Sequence, residues 1–223
     1  MNSRFTIKRF SQAAVFGAAI SILFLLNTSI SFAKQDRQRR TLMHRGIERS
    51  YILRLPDDIW ESSENMPLLL VLHGGGGNGR NAEKWTGFTD KAKKEGFIVV
   101  YPEGTRRKGR LLRIFTWNAG HCCGPAMHNR IDDIGFIDTL LDELIANYPV
   151  DSKRIYVTGG SNGGMMSHRL GIALSHRFAA IAPVIATVFG DEPQPKNPVS
   201  AIMINSQSFN GTDVIWEFFR THS

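Results

Sequence analysis

Residues 154–166 read RIYVTGGSNGGMM. A run rich in β-branched residues, Ile155 to Thr158, meets a knot of glycines around one serine, and an apolar helical pattern follows. Within it, Gly159-Gly160-Ser161-Asn162-Gly163 fits G-x-S-x-G. A chain that contains this stretch has to pass from strand to helix through a tight, strained turn with a hydroxyl at its tip. Glycines at 159 and 163 keep side chains out of that turn. The helix that follows directs free backbone N–H groups at the same point. Ser161 is therefore a candidate nucleophile, although a serine hydroxyl reacts poorly until its proton has an acceptor. The N–H of Asn162 is one candidate donor to the oxyanion of a tetrahedral intermediate, a contact typically worth about 2.7–4 kcal/mol of barrier lowering.

Five residues alone form a weak signal, and the flanking strand and helix supply its context. A second stretch supports it. VLHGGGGNG, residues 71–79, ends an apolar run with His73 and four glycines. Such a loop lets bare backbone approach a ligand, and the N–H of Gly75 is the candidate second oxyanion donor. A phosphate cradle would need a Lys and a Ser or Thr after the glycines, and neither is there. His73 reads as a structural hydrogen-bonder of the loop rather than a base.

The rest of the 223 residues alternates strand-like and helix-like segments, which argues for an α/β sheet, mostly parallel, with helices on both faces. RSYILRL (49–55) reads as an edge strand. PLLLVLH (67–73) reads as a strand buried on both faces. Residues 81–96 read as one helix ending at Gly96, and FIVVYPEG (97–104) as a strand and its turn. A long loop runs from 105 to about 130. Residues 131–147 give the clearest helix, with Ile134, Ile137, Leu141, Leu144 and Ile145 on one stripe. Asp132 and Asp133 sit in its first turn, favoured there by the helix dipole, with a catalytic role as the alternative. FAAIAPVIA and PVSAIMI are two further strands. TDVIWEFFRTH closes the chain as an amphipathic helix docking through Val214, Ile215, Phe218 and Phe219.

Residues 1–33 have the three parts of a secretory signal. Arg4, Lys8 and Arg9 precede an apolar run, and Ser31-Phe32-Ala33 offers a cleavage site. The apolar run is shorter than the roughly 20 residues a membrane span needs. The expected mature chain is a single domain over 34–223, secreted or periplasmic, with no membrane attachment. Removing the leader lowers the formal net charge from +7 to +4, because it carries three cations. The remaining excess sits largely in KQDRQRR and TRRKGR. Without interleaved aromatics these read as solvated tail and loop, and no nucleic-acid partner is expected. The two cysteines, Cys122 and Cys123, are adjacent. A vicinal disulfide, two free thiols and intermolecular pairing all remain open. Adjacent thiolates lack the spacing that lets two share one tetrahedral ion, so no metal is expected, and no cofactor.

Together the two glycine loops and the segments between them resemble the secreted polyhydroxybutyrate depolymerase-like esterases of the α/β-hydrolase fold, to which feruloyl and acetyl-xylan esterases are related. The matching stretches include PLLLVLHGGGGNGRN, GFIVVYPEGT, TWNAGHCCGPA, IDDIGFIDTLLDEL and YPVDSKRIYVTGGSNGGMMSHRL, over most of residues 46–184. The resemblance implies hydrolysis of carboxylic esters through an acyl-serine, with Ser161 as nucleophile. It implies polyester oligomers or polysaccharide esters as substrates. It also implies that Trp117 to Cys123 lie near the cleft, although Trp117 reads equally as core.

The pattern breaks after Ser161. The fold delivers an acid and then a histidine from later loops, in the order Ser, Asp, His, and only 62 residues follow Ser161. A strand-plus-crossover unit takes about 30 residues, and the helices and strands already assigned use nearly all 62. The resemblance implies that NPVSAIMI precedes a His-Gly-Thr-x-Asp stretch, which is missing here, and that the closing helix normally follows the catalytic histidine. An internal loss near residue 205 accounts for both, leaving the domain incomplete beyond that point. Asp191, Asp213, His168, His176 and His222 are poor substitutes. The expectation is a weakened serine esterase; the alternative is an inactive relative, a binding protein or a gene remnant.

Overall fold

The computed structural model describes residues 39–106, 114–188, 192–205 and 211–222. The expected leader, residues 107–110 of the 105–110 basic run and Asp191 lie outside them. Nine strands and six helices follow one another in those residues. The strands are β1 (Arg39–His44), β2 (Ile47–Arg54), β3 (Met66–Leu72), β4 (Ile98–Pro102), β5 (Thr105–Arg106), β6 (Phe115–Thr116), β7 (Val150–Gly160), β8 (Ala180–Val184) and β9 (Ser200–Ala201). The helices are α1 (Gly79–Thr86), α2 (Phe88–Glu95), α3 (Gly124–His128), α4 (Asp133–Asn147), α5 (Asn162–Ala173) and α6 (Gly211–Arg220).

Seven strands form one sheet in the order β1-β2-β4-β3-β7-β8-β9. The β1–β2 and β2–β4 pairs are antiparallel. The β4–β3, β3–β7, β7–β8 and β8–β9 pairs are parallel. β5 and β6 pair separately as a two-stranded ribbon.

The central strands bury both faces, and their residues alternate between two cores. Leu68, Leu70, Leu72, Val100, Ile155 and Val157 face the side covered by α4 and α5. Leu69, Val71, Val99, Tyr101 and Tyr156 face the side covered by α1, α2 and α6. A fully buried Leu or Val contributes about 1.5–3 kcal/mol, so the apolar run at 68–72 holds the sheet centre in place. The stripe expected on α4 is the buried one at Ile137, Leu141 and Leu144, widened by Phe136 and Leu140. α6 docks through stacked rings, with centroids 3.8 Å apart for Phe97 and Trp216 and 4.7 Å for Tyr156 and Phe219.

Four local expectations are corrected. Residues 81–96 are two helices, because Gly87 takes a left-handed φ of 67° and reverses the chain between them. β2 is not an edge strand, since β1 covers it. Arg39 and Arg40, expected in a solvated tail, are β1 residues that pair with Glu103 and the Tyr148 hydroxyl. On α6, Trp216 is buried and Val214 exposed: the helix faces the sheet with 215, 216 and 219, a phase one position away from the expected stripe.

One charged pair lies inside the core. Arg49 of β2 meets Asp133 at 2.6 Å, with side chains 2% and 0% exposed. Its guanidinium lies 3.8 Å from the Phe136 ring centre. Asp133 Oδ2 also accepts the backbone N–H of Asn118 at 2.7 Å. Its neighbour Asp132 caps the helix by accepting the Gly135 N–H at 3.0 Å. Removing one member of a buried pair strands the other, whereas a cap is replaceable by water. Asp133→Ala is therefore expected to lose about 3–5 kcal/mol and Asp132→Ala about 1 kcal/mol, read from urea unfolding midpoints.

Candidate active site

β7 ends at Gly160 and α5 begins at Asn162, with Ser161 alone between them. Ser161 has φ 54° and ψ −120°, a left-handed conformation that a residue with a Cβ holds only when its surroundings enforce it. The enforcement is a close approach of backbone. A methyl group at Gly163 would stand 2.5 Å from the carbonyl oxygens of Leu72 and His73, and one at Gly159 would stand 2.7 Å from the Gly163 carbonyl. The start of α5 is thus pressed directly onto the end of β3. The Ser161 N–H donates to Val184 at 2.9 Å, which ties the turn to β8 as well. Ser161 itself is exposed.

The glycine loop after β3 meets this turn. A methyl group at Gly74 would be 3.8 Å from the Ser161 Cβ, and one at Gly75 would be 3.5 Å from the Asn162 Cβ. Gly77 N–H closes a turn onto Gly74 at 3.0 Å, and Gly76 N–H reaches Phe115 at 2.9 Å. Gly75 and Asn162 thus stand side by side next to the serine. Asn162 is the first residue of its helix, where a backbone N–H has no acceptor within the helix.

His73 is buried beneath the loop. Its Nδ1–H donates to Gly74 at 2.8 Å, and its Nε2 accepts from Gly104 N–H at 3.0 Å. Both nitrogens are occupied and the ring is held neutral. Burial pushes its pKa down to about 4, with the nearby Arg49 charge adding to the effect and the Gly74 bond opposing it. It is structural, as its position before the glycines indicates.

Sequence reasoning did not find the role of the Asn162 side chain. Its Oδ1 accepts the Trp117 N–H at 2.8 Å and its Nδ2 donates to the Trp117 carbonyl at 3.1 Å. This amide imitates a strand neighbour and pins the 117–123 loop beside the turn. Trp117 is fully buried, and its indole donates to the His73 carbonyl at 3.0 Å. It belongs to the core under the site, which settles the choice left open for it. Asn118, the next residue, is held by Asp133 and by Arg169, which donates to its carbonyl at 2.7 Å. Cys122 and Cys123, in the same loop, are joined as a disulfide. Arg49, which anchors Asp133, was detectable in principle: strand alternation puts it on the same side as Tyr51 and Leu53.

Ser161 opens into a cleft of about 430 Å³, walled by Ala82, Trp85 and Ile185 and, on the polar side, by Gly74 and Asn81. No described histidine bonds to the serine hydroxyl. His168 lies two turns along α5, roughly 10 Å away, and pairs with Glu192 at 2.8 Å. His176 is exposed beyond α5. His222 lines a hollow with Lys153, Phe178 and Ser200, at the ends where β7, β8 and β9 begin. Eight residue-to-residue steps along β7, roughly 26 Å, separate Lys153 from Ser161. Asp213 is bound to Lys91 at 2.7 Å. Asp213 and His222 are therefore not brought to the serine.

Sheet order, parallel centre and the strained serine turn between strand and helix define an α/β-hydrolase. Residues 49–211 match the model of the family described as Esterase PHB depolymerase, and the chain belongs to that family. It is 31% identical over 127 residues to a bifunctional acetylxylan esterase/xylanase of Neocallimastix patriciarum, covering 56% of this chain and 17% of that protein. It is 32% identical over 135 residues to feruloyl esterase B of Piromyces equi, covering 60% and 23%. The chain thus spans under a quarter of the length of either. Among solved structures, a thermostable esterase superposes with a TM-score of 0.60 at 16% identity, covering 85% of this chain and 64% of that one. An acetyl xylan esterase from Aspergillus awamori gives 0.52 at 21%, covering 65% and 50%.

The neutral His73 links stability to pH. Unfolded, its pKa returns to about 6.5, so below that value the unfolded chain takes up a proton the folded one refuses. Stability present above pH 6.5 is lost as pH falls toward 4, by up to about 1.4 kcal/mol per unit. Urea midpoints measured from pH 7.5 to 4.5 should fall accordingly, and His73→Gln should start lower but show a shallower slope.

Proposed function

We propose that this chain is a secreted carboxylic-ester hydrolase in which Ser161 attacks the ester carbonyl and the N–H groups of Asn162 and Gly75 hold the oxyanion. The observation that carries this reading is the strained, exposed Ser161 set against the Gly74–Gly75 backbone at the mouth of a cleft. Attack would pass through a tetrahedral intermediate to an acyl-serine, which water then hydrolyses. Substrates of the class are polyester oligomers or esters on polysaccharides; the names of the relatives favour the second. Export rests on the leader-like residues 1–33.

Among the described residues, no carboxylate and no histidine other than the structural His73 lines the Ser161 cleft, so turnover is expected to be weak. The link from Ile204, bridged to Val184, to Gly211, which starts α6, is too short for a further strand and a histidine loop. That supports loss of an internal segment near residue 205. In subtilisin, loss of triad members leaves about 10³–10⁴-fold acceleration from oxyanion hole and binding, and a remnant of that order is expected here. The same gap favours a second reading, a relative that binds esters without cleaving them.

A fluorophosphonate probe and a short-chain aryl ester separate the two. The esterase reading expects slow modification of Ser161, abolished in Ser161→Ala, with low turnover that disappears in the same variant. A folded chain that neither labels nor hydrolyses favours the inactive relative, a binding protein or a gene remnant. Rapid, ordinary turnover dependent on Ser161 would overturn the loss of the triad.

A further inference from the structure

The two edges of the seven-stranded sheet differ in kind. β1, at one end, opens on Arg39 and Arg40, charges of the sort that keep a strand edge from pairing with another chain. The edge at β9 has no such guard. Residues 199–205, VSAIMIN, contain no charged residue and no proline. They run along β8 in one unbroken register, with Ser200 opposite Ala180, Ala201 opposite Ile181 and Ile204 opposite Val184. The Ile202 and Ile204 N–H groups donate inward, to the Ile181 and Pro183 carbonyls, at 3.1 Å each. Strand alternation therefore turns the N–H and C=O of Ala201 and Met203 outward. Among the described residues no strand pairs with that side.

Both cores run out to solvent here. On the side of α6, Ile202, Ile204 and Phe218 are only partly buried. On the side of α5, Val188 is 39% exposed and Met203 43%. Val188, Val199 and Ala201 form the apolar wall of a cavity of about 260 Å³ at the same edge. We propose that this edge is the pairing surface for a second copy of the chain. Residues 200–204 of two copies run antiparallel about a two-fold axis at Ile202, and the two sheets become one. Ala201 of each copy then exchanges both of its outward backbone hydrogen bonds with Met203 of the other. Opposed residues share a face of the sheet, so Met203 of one copy stands over Ala201 and the apolar cavity wall of the other. Methionine is a side chain well suited to filling an irregular gap. The occupant is a second copy because the edge matches itself: each protruding side chain meets a hollow, and no like charges are opposed.

Sedimentation velocity on the purified chain, from about 5 to 500 µM, tests the pairing. A short edge belongs to the weak class of interface, so a reversible dimer with a dissociation constant on the order of micromolar to tens of micromolar is expected. Met203→Lys sets two ammonium groups close to the axis and should weaken the dimer about tenfold or more. Its urea midpoint should stay at the wild-type value, since the side chain is already exposed. Met43→Lys, on the exposed face of β1, should leave the dimer unchanged. Ile202→Cys reads the register. Its two copies form a non-hydrogen-bonded pair with Cα atoms about 4.5 Å apart, within the span of a disulfide. Mild oxidation should cross-link it, whereas Ser200→Cys, roughly 14 Å from its counterpart, should stay uncross-linked. A chain monomeric over the whole range, a dimer that survives Met203→Lys, failure of Ile202→Cys to cross-link, or cross-linking of Ser200→Cys as readily as Ile202→Cys overturns the inference. Phosphonate labelling of Ser161 is a separate readout, so the esterase reading and the pairing fail separately.

Discussion

The contact of α5 with the end of β3 is the constraint on which the site depends. Gly163 brings its backbone against the carbonyls of Leu72 and His73, closer than any side chain would permit. Three consequences follow from that one approach. The strand β7 has to bend sharply, which places Ser161 at φ 54°. The glycine loop that leaves β3 is carried to the same spot, so Gly75 lies beside Asn162. The N-terminal amides of α5 point at the space above both. A Cβ at 163 would push the helix off the strand and undo all three together.

Backbone geometry alone would leave the 117–123 loop free to drift. Two polar arrangements hold it. Asn162 binds the N–H and the carbonyl of Trp117, and the buried Asp133, itself compensated by Arg49, binds the N–H of Asn118. An ion pair in the core is an expensive fastener, because desolvation opposes it; burial pushes the Asp133 carboxyl up and Arg49 works against that shift. What it supplies is position. Arg49 reaches from β2, Asp133 heads α4, and Arg169 of α5 closes on the Asn118 carbonyl. Three elements distant in sequence therefore meet at one loop beside the serine turn.

Much of this was legible in the chain because it is local. The apolar run at 68–72, the periodicity of α4 and the glycine pattern at 159–163 each specify an element within a few residues. The joining of two glycine loops was also accessible, since parallel neighbours β3 and β7 must end on the same side of the sheet. Long-range pairings were not. Nothing around Gly87 shows whether a chain reversal or a helix end follows. A one-residue phase error on α6 exchanges Trp216 for Val214. Arg39 and Arg40 look like a solvated run until Glu103 and Tyr148 are placed opposite them. Trp85 is an ordinary residue on a short helix until its ring is seen against Gly160.

The site is built from residues 72–77, 117–123 and 159–164, with walls from α1 and the Ile185 turn. The segment after β9 reaches it through the bridge of Ile204 to Val184 and the Ile185 N–H bonded to the Ile204 carbonyl at 2.7 Å, and α6 touches its wall through the carbonyl of Thr86. The strained turn is held by packing of β3, β7, β8 and α5, while α6 covers the opposite face of the same strands through Ile215, Trp216 and Phe219. A histidine and an acid would have to be brought to the serine by loops beyond β9, and their geometry places no demand on the turn itself. Under the proposed esterase reading, stabilisation of an oxyanion and activation of the hydroxyl are thus separable: the first would be a property of the backbone around the turn, and the second a property of side chains on later loops.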